Sequence, residues 1–350
     1  MHAISSVDTP FANPLADHLP RVKLALTPTP IETLPRISQQ LGFRLSVKRD
    51  DLTGLAFGGN KIRQLEYYFG EAKEQGATVV LVTGAVQSNY TRATAAVAAK
   101  LGMRCHVQLE NRVPSMASDV YAHSGNVLLS DIYGASVSVF PDADDELGAD
   151  AAINAVAEDL RAQGEVPYLI SLKPDSAPLG SVGYLDAVQE LLVQQPDLTH
   201  IVVPSGSGQT QAGLLFGLRS VGSKVRVLGV SVRRDVAAQR QRIATHCAAL
   251  GRMLDAPDVL VSDADIEVFD GNVGTSYGLP DASLLDFLLH VARSDGLLLD
   301  PVYTGKAFAA LPRLKAEGQL DAQSSVVFVH TGGMPALFAY GPEFQARARA

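Results

Sequence analysis

Cysteine and net positive charge are both scarce in this 350-residue chain. Its two cysteines, Cys105 and Cys247, lie far apart without a CxxC spacing, so we expect neither a disulfide framework nor a cysteine metal site. Lys and Arg number 29 against 37 Asp and Glu, which gives a net charge of −8. No basic domain stands out, so a nucleic-acid partner is not expected.

Long apolar runs and targeting patterns are also missing. No apolar run reaches membrane-spanning length, and the N-terminus lacks a basic-then-apolar signal pattern. The eight histidines are scattered without an HExxH motif, which argues against a metal-dependent lyase, and no metal is expected. With 47% apolar and 19% charged residues, we expect a globular protein. The missing signal pattern and membrane-length run predict that it is cytoplasmic and has no membrane partner.

Short apolar runs alternate with helical patterns along most of the chain. This alternation predicts an α/β fold with parallel sheets flanked by helices. One helix is predicted over residues 119–133, and basic residues between 233 and 242 are predicted to form an exposed helix face. Residues 1–20 are expected to form an arm over the surface or a subunit contact, and the acidic residues 142–146 a solvated helix start. The predicted strands are residues 45–49, 78–83, 105–109, 136–140, 168–172, 201–204, 225–230 and 326–330.

The most informative motif is FGGNKIRQLE, residues 57–66, in which two glycines and Asn60 bring Lys61 to the start of a predicted helix. Glycine allows the backbone to approach a flat ligand closely. The positive end of the helix, together with partial burial, lowers the pKa of an amine. Such an amine suits a Schiff base to an aldehyde cofactor. The alternative is a solvated lysine at a helix start.

A second glycine loop, PSGSGQTQAG at residues 204–213, lies between a predicted strand and a helix. Its backbone amides and the helix N-terminus predict an anion-binding cup, to which Ser205, Ser207 and Thr210 add hydroxyl donors. A dinucleotide fingerprint is not expected, because Gln211 occupies the position of the third glycine. The loop also lacks the lysine of a P-loop. A phosphate monoester bound without a metal fits best.

Three further motifs add polar side chains at turns. Residues 84–92, GAVQSNYTR, are either a capped helix start or a second anion site for a substrate carboxylate. Residues 276–280, SYGLP, and 300–306, DPVYTGK, each place a tyrosine beside a glycine. Tyr277 and Tyr303 are therefore either phenols exposed in a cleft or packing residues.

Together with HTGG at residues 330–333, these motifs resemble the fold-type II pyridoxal-phosphate enzymes, and more closely the D-cysteine desulfhydrase and 1-aminocyclopropane-1-carboxylate (ACC) deaminase family. The resemblance covers nearly the whole chain. It implies a two-domain architecture like that of tryptophan synthase β and a homodimer. Residues 1–63 plus 175–350 would form the large cofactor domain, and residues 64–174 a small inserted α/β domain.

The resemblance also implies roles for individual residues. Lys61 would form the Schiff base to pyridoxal 5'-phosphate and act as the base at the substrate α-carbon. Tyr277 and Tyr303 would be acid/base candidates, and Ser88 would act at the carboxylate of the substrate. Further cofactor contacts would come from Asn60, Asn89, Ser205, Gly206, Ser207, Gly208, Gln209, Thr210 and Thr304. Substrate contacts would come from Ser88, Asn89, Tyr90, Thr91, Arg92 and Lys173.

The implied reaction is β-elimination from a small amino acid, which yields a 2-oxo acid and ammonia. D-cysteine is the first expected substrate. Where ACC deaminases carry a glutamate, Thr304 is neutral and would not keep the pyridine ring protonated, so ACC ring opening is less favoured. L-cysteate is the alternative, because Lys173 and Arg92 would suit a sulfonate if they face the cleft. The other class is a non-catalytic protein that binds pyridoxal phosphate or amino acids.

Overall fold

The computed structural model describes residues 13–116, 118–142 and 145–349. Residues 1–12 of the expected arm and residues 143–144 of the acidic stretch lie outside these ranges. The strands are β1 (Ile31–Thr33), β2 (Arg44–Lys48), β3 (Val79–Ala85), β4 (Arg104–Glu110), β5 (Ser136–Phe140), β6 (Pro167–Ile170), β7 (His200–Ser205), β8 (Arg226–Ser231), β9 (Glu267–Phe269) and β10 (Ser325–Val329).

Helices connect most of these strands, which makes the fold α/β as predicted. Short 3-10 helices lie at Pro14–Ala16, Asp50–Leu52, Leu55–Phe57 and Asp263–Asp265. The α-helices are α1 (Pro35–Leu41), α2 (Asn60–Glu74), α3 (Asn89–Leu101), α4 (Asp119–His123), α5 (Gly125–Ile132), α6 (Glu146–Ala162), α7 (Leu179–Gln194), α8 (Gln209–Ser220), α9 (Val236–Met253), α10 (Ala282–Asp295), α11 (Thr304–Phe308), α12 (Leu311–Ala316), α13 (Met334–Ala339) and α14 (Gly341–Ala348).

The strands form two sheets. The larger has the order β1-β2-β10-β7-β8-β9, in which only β1 runs antiparallel to its neighbour. The smaller has the order β5-β4-β3-β6 and is entirely parallel. All four strands of the smaller sheet fall within residues 64–174, the range predicted for the inserted domain. The domain boundaries themselves stay a prediction.

One hydrophobic core continues from the smaller sheet to the larger. It includes Val80 and Val82 of β3, Leu65 of α2, and Ile201 and Val203 of β7, all of which are fully buried. Helices α2 and α7 pack against each other between the two sheets. This packing sets the spacing of the sheet edges, where the candidate site lies.

A buried cluster of charges ties α2 to both α7 and the larger sheet. Arg63 of α2 donates to Asp50 at 3.0 Å and to both oxygens of Glu190 at 2.8 Å. Lys48 of β2 donates to Glu190 at 2.6 Å, and the hydroxyl of Tyr184 donates to Asp50 at 2.7 Å. These side chains are at most 2% exposed, so the start of α2 is fixed from several directions.

The helix predicted over residues 119–133 is instead two helices, α4 and α5. They are separated because Ser124 is extended and Gly125 has a φ of 59°. A Cβ at Gly125 would lie 2.7 Å from both the side-chain oxygen of Gln87 and the carbonyl of Pro335. The break therefore allows α13 and the β3–α3 turn to approach closely. In the described part of the chain, no helix combines the length and apolarity needed to cross a membrane.

Candidate active site

A cavity lies between the two sheets, where the carboxyl ends of β3, β7 and β10 meet. Ligands of open α/β sheets bind at such edges. The predicted site residues that line the cavity are Asn60, Lys61, Ser88, Asn89, Tyr90, Lys173, Gly206, Ser207, Gly208, Thr210, Tyr277 and Tyr303. The predicted residues buried behind its walls are Thr91, Arg92, Ser205, Gln209 and Thr304.

Lys61 reaches the cavity from the first turn of α2. The preceding segment, residues 56–59, has positive φ throughout, and a Cβ at Gly58 would lie 2.1 Å from the carbonyl of Asp51. The Lys61 amine is enclosed by protein apart from the cavity, 5.0 Å from the ring centroid of Tyr90. Burial lowers the pKa of this amine to about 8. About a tenth of it is therefore an uncharged nucleophile at pH 7, against a far smaller fraction for an unperturbed lysine.

The glycine loop at the start of α8 forms the second wall. Gly208 precedes the helix with a φ of 88°. Oγ1 of Thr210 accepts one hydrogen bond from Asn60 and one from Gln64, both at 2.9 Å. A hydroxyl has two acceptor positions and one proton, so the proton of Thr210 remains free to donate. Together with the free amides of the helix N-terminus, it can bind an anion.

Two arginines hold this loop, Arg234 just before α9 and Arg242 within it. The carbonyl of Gly206 accepts from Arg234 at 3.1 Å, and that of Ser207 accepts from Arg242 at 2.7 Å. Because a peptide N–H points opposite to its C=O, these contacts help to turn the following amides toward the cavity. Arg233, Arg234 and Arg242 all line the cavity. The prediction of an exposed basic face between residues 233 and 242 was therefore wrong.

His246 adds a further contact to the loop. Its Nε2 lies 3.0 Å from the carbonyl of Ser207. Burial lowers the pKa of His246 to about 4, so the ring is neutral and carries its proton on Nε2. No short motif indicates this contact, because His246 lies 39 residues after Ser207 along the chain.

Ser88 caps α3 as a serine at this position is expected to do. Its Oγ accepts from the amides of Tyr90 at 3.1 Å and Thr91 at 3.3 Å, and its own amide donates to Ala85. These three amides thus have partners within the chain and are not free for a substrate carboxylate. The Ser88 hydroxyl proton remains as the donor.

Asn89 faces the cavity with a fixed orientation. Its Oδ1 accepts from Nδ2 of Asn126 at 3.1 Å, which leaves the Asn89 NH2 group available as a donor. Arg92, three residues later, is fully buried and donates to the carbonyls of Ala56 and Gly58. It therefore does not reach the cavity, and the expected sulfonate contact from Arg92 is not present.

Tyr277 and Tyr303 meet at the opposite wall. Their hydroxyl oxygens are 2.6 Å apart, and their rings pack edge to face at 5.8 Å. Burial raises the pKa of both phenols, so they are protonated near neutral pH. The pair can donate a proton into the cavity.

Thr304 is placed differently from the expectation. Its hydroxyl donates to Asp300 at 2.5 Å, and the side chain is fully buried. The Asp300 carboxylate also accepts hydrogen bonds from the backbone amides of Val302, Tyr303 and Thr304 at 2.7–2.9 Å. The residues that do line the cavity here are Asp300 and, at the end of β10, Thr331.

Comparisons with known proteins agree with this geometry. The family model described as "Pyridoxal-phosphate dependent enzyme" matches residues 22–332. The chain belongs to this family. Pyridoxal phosphate is accordingly its cofactor.

Relatives within the pyridoxal-phosphate dependent enzymes are similar over nearly the whole chain. D-cysteine desulfhydrases of Salmonella choleraesuis (strain SC-B67) and Salmonella typhi are each 40% identical over 326 residues, which is 92% of this chain and 97% of theirs. The crystal structure of an ACC deaminase homologue superposes with a TM-score of 0.85 at 35% identity, covering 95% of this chain and 98% of the other. O-ureido-L-serine synthase shares the fold, with a TM-score of 0.63 at 19% identity.

The cavity of this pyridoxal-phosphate dependent enzyme has groups that fit its cofactor. The enclosed amine of Lys61 suits the aldehyde, and the α8 loop with the free hydroxyl proton of Thr210 suits the phosphate. The free NH2 group of Asn89 suits the ring oxygen. No group of three or more His, Cys, Asp and Glu residues in the described ranges could hold a metal ion.

Charged side chains surround the outer part of the cavity. Among the described residues, four ion pairs have both members in the lining: Glu146 with Arg233 at 2.8 Å and with Arg234 at 3.5 Å, Lys173 with Asp150 at 2.6 Å, and Arg112 with Glu110 at 2.6 Å. Six basic side chains and four carboxylates of the described residues line the cavity. Of these cations, only Lys61 and Lys173 were predicted from the sequence to lie in the site. The lining cations are Lys61, Arg112, Lys173, Arg233, Arg234 and Arg242.

Proposed function

We propose that this enzyme is a carbon–sulfur lyase that converts D-cysteine to pyruvate, ammonia and sulfide. The observation that carries the proposal is the placement of a buried amine, Lys61, in one cavity with a protonated phenol pair, Tyr277 and Tyr303. The 40% identity to D-cysteine desulfhydrases over 92% of the chain supports the choice of substrate.

The side chains supply base and acid for such an elimination. Pyridoxal phosphate, when bound, withdraws electrons from the substrate α-carbon. Lys61, with its low pKa, accepts the α-proton. The Tyr277–Tyr303 pair holds a proton for the departing sulfur. The Ser88 hydroxyl, which caps α3 at the cavity wall, orients the substrate carboxylate.

The direct test measures 2-oxo acid release from the cofactor-loaded protein. D-cysteine, L-cysteine, L-cysteate and ACC are compared, with Lys61→Ala as the inactive control. We expect pyruvate from D-cysteine at the highest kcat/KM and no product from the variant. Oxobutyrate from ACC would mean that a neutral Thr304 is compatible with ring opening. No product from any of the four would contradict the proposal.

L-cysteate is the second candidate, because Lys173 lines the cavity. Its partly exposed ammonium pairs with Asp150 and can pair with a substrate sulfonate instead. If it does so, Lys173→Ala raises KM for L-cysteate by about tenfold, as expected when one charge-assisted contact is lost. KM for D-cysteine would not change. Lys224→Ala, at an exposed turn, is the matched control. An unchanged KM for L-cysteate in Lys173→Ala would remove this candidate.

We also propose a cytoplasmic homodimer, in line with the resemblance described above. The large exposed apolar side chains include Leu26, Phe57 and Phe338. Sedimentation equilibrium of the cofactor-loaded protein tests the dimer, and a species of 37.1 kDa at micromolar concentration would contradict it.

A further inference from the structure

The segment that delivers Lys61 is held in an unfavourable conformation. Residues 56–59 have φ angles of 52°, 64°, 63° and 113° in succession. Two of these residues, Ala56 and Phe57, carry a Cβ and are therefore strained in this region. Phe57 is also 61% exposed in the single chain, so packing of its ring against its own chain does little to stabilise the segment. Other contacts must hold it in place.

One side of the segment is held by its own domain. The amide of Gly59 donates to the carbonyl of Asp50 at 3.0 Å and to the hydroxyl of Thr53 at 2.9 Å. The amide of Asn60 donates to the carbonyl of Thr331 at 3.0 Å. These contacts are made by the N–H groups at the end of the segment. They do not involve the carbonyls of Ala56 and Gly58.

Arg92 holds the other side. Its guanidinium donates to the carbonyls of Ala56 and Gly58, the latter at 3.3 Å, and lies 3.5 Å from Oδ1 of Asn89. The side chain is fully buried, and none of these partners is a carboxylate. A buried cation without a counter-charge is costly, so a nonspecific packing role would be met better by an apolar residue. The guanidinium, by contrast, can serve the irregular loop and α3 at once, because Nη1 donates to both carbonyls while Nη2 faces Asn89.

We propose that Arg92 is a positioning residue that fixes the direction in which Lys61 enters the cavity. Arg92 lies on α3, which also carries Ser88 and Asn89 at the cavity wall. It therefore joins the helix that faces the cofactor ring to the segment that carries the amine. The inference rests on the proposed function for its chemistry, since Lys61 is the base in that reaction.

The first test is a pH titration of the visible absorbance of the cofactor bound to Lys61. We expect Arg92→Met to shift the midpoint by about one pH unit or more and to lower kcat by about 100-fold, the usual cost of a misplacement near 1 Å. KM should stay within about threefold, and Arg92→Lys should restore part of kcat because it keeps the positive charge and N–H donors, although without the planar fork. The control is Arg21→Met, which loses ion pairs to Glu66 of α2 and Asp186 of α7 but no contact to the segment.

The second test is hydrogen exchange of the cofactor-free protein over residues 54–60. We expect the Gly58 and Gly59 amides to exchange at least about tenfold faster in Arg92→Met than in the wild type, and at wild-type rates in Arg21→Met. If Arg92→Met does not fold, Arg92→Lys carries both tests with smaller effects. Equal destabilisation by the Arg92 and Arg21 variants, with unchanged titration midpoint and exchange, would overturn the inference. The titration midpoint and the exchange rates are both measured without a substrate. Failure of the D-cysteine proposal would therefore leave these two results interpretable.

Discussion

At the scale of single residues, the buried charge of Lys61 destabilises the cofactor-free fold. Its amine has a pKa of about 8 in the folded protein, against 10.5 for an unperturbed lysine. Between these values the unfolded chain binds more protons than the folded one, so stability rises with pH there. Below pH 8 the full penalty applies, and it amounts to up to about 3 kcal/mol at 1.36 kcal/mol per pKa unit.

Replacing Lys61 by methionine should therefore stabilise the cofactor-free protein. We expect Lys61→Met to raise the free energy of unfolding by up to about 3 kcal/mol below pH 8, because the methionine carries no charge to desolvate. The gain should shrink as pH rises from 8 toward 10.5. Urea denaturation at pH 7 and pH 10 measures both values. Lys224→Met, at an exposed turn, is the control, and a gain independent of pH would contradict the charge argument.

Gly208 is a second residue whose replacement the structure makes predictable. A Cβ there would lie 2.9 Å from Cδ1 of Ile243 and 3.3 Å from the ring of His246. Gly208→Ala should displace the glycine loop at the start of α8 and weaken cofactor binding by about tenfold or more. Titration of pyridoxal phosphate into the cofactor-free protein, followed by absorbance, measures this affinity. Gly222→Ala is the matched control, since Gly222 has a φ of 69° with nothing within 4 Å. Equal cofactor affinity in the two variants would contradict a role of Gly208 in shaping the loop.

At the scale of elements, α11 organises the phenol pair. Its first residue follows Tyr303, and its Lys306 donates to the carbonyls of Val273 and, at 2.8 Å, Ser276. Tyr277, the other phenol, comes directly after Ser276. The DPVYTGK motif thus carries one phenol and also holds the loop that carries the second.

Loss of the Lys306 contacts should loosen that loop. The chain contains no tryptophan, so Leu279→Trp would introduce a single fluorophore beside Tyr277. In that background we expect Lys306→Met to increase acrylamide quenching and to lower kcat by about tenfold, because Tyr277 is no longer held against Tyr303. Lys315→Met, exposed on α12, should change neither. Unchanged quenching in Lys306→Met would mean that other contacts hold the loop.

At the scale of the whole molecule, the buried cluster of Arg63, Asp50, Lys48 and Glu190 connects the larger sheet with α2 and α7. Arg63→Met leaves two buried carboxylates without their main partner and should lower the free energy of unfolding by about 3–5 kcal/mol. The control is Arg44→Met, because Arg44 pairs with Asp197 at the surface with 67% and 53% of the side chains exposed. Its loss should cost less than about 1 kcal/mol. Similar losses in the two variants, measured by urea denaturation, would contradict a stabilising role for the cluster.

The sequence allowed the α/β fold and the family to be predicted because their signals are local. Glycine loops, cap residues and short apolar runs depend on neighbours within a few positions, as at Lys61 and Ser88. Contacts between distant segments were not predictable. Arg234 and Arg242 fold back onto the loop at residues 206–207, and Arg92 turns away from the cavity toward Ala56. Side-chain direction at such positions is decided by tertiary packing, which no short motif encodes.

The charges that line the cavity also have a consequence for the amount of protein in a cell. In the part of the chain that the structure describes, six basic side chains face four carboxylates there, so positive charge is in excess in the cavity of the cofactor-free form. A ligand that binds only the folded chain stabilises it by mass action, by about 2.7 kcal/mol at a concentration 100 times its Kd. Less cofactor would mean a larger unfolded fraction, which proteases remove. The abundance of this protein should therefore follow the supply of vitamin B6, even where its synthesis is constant.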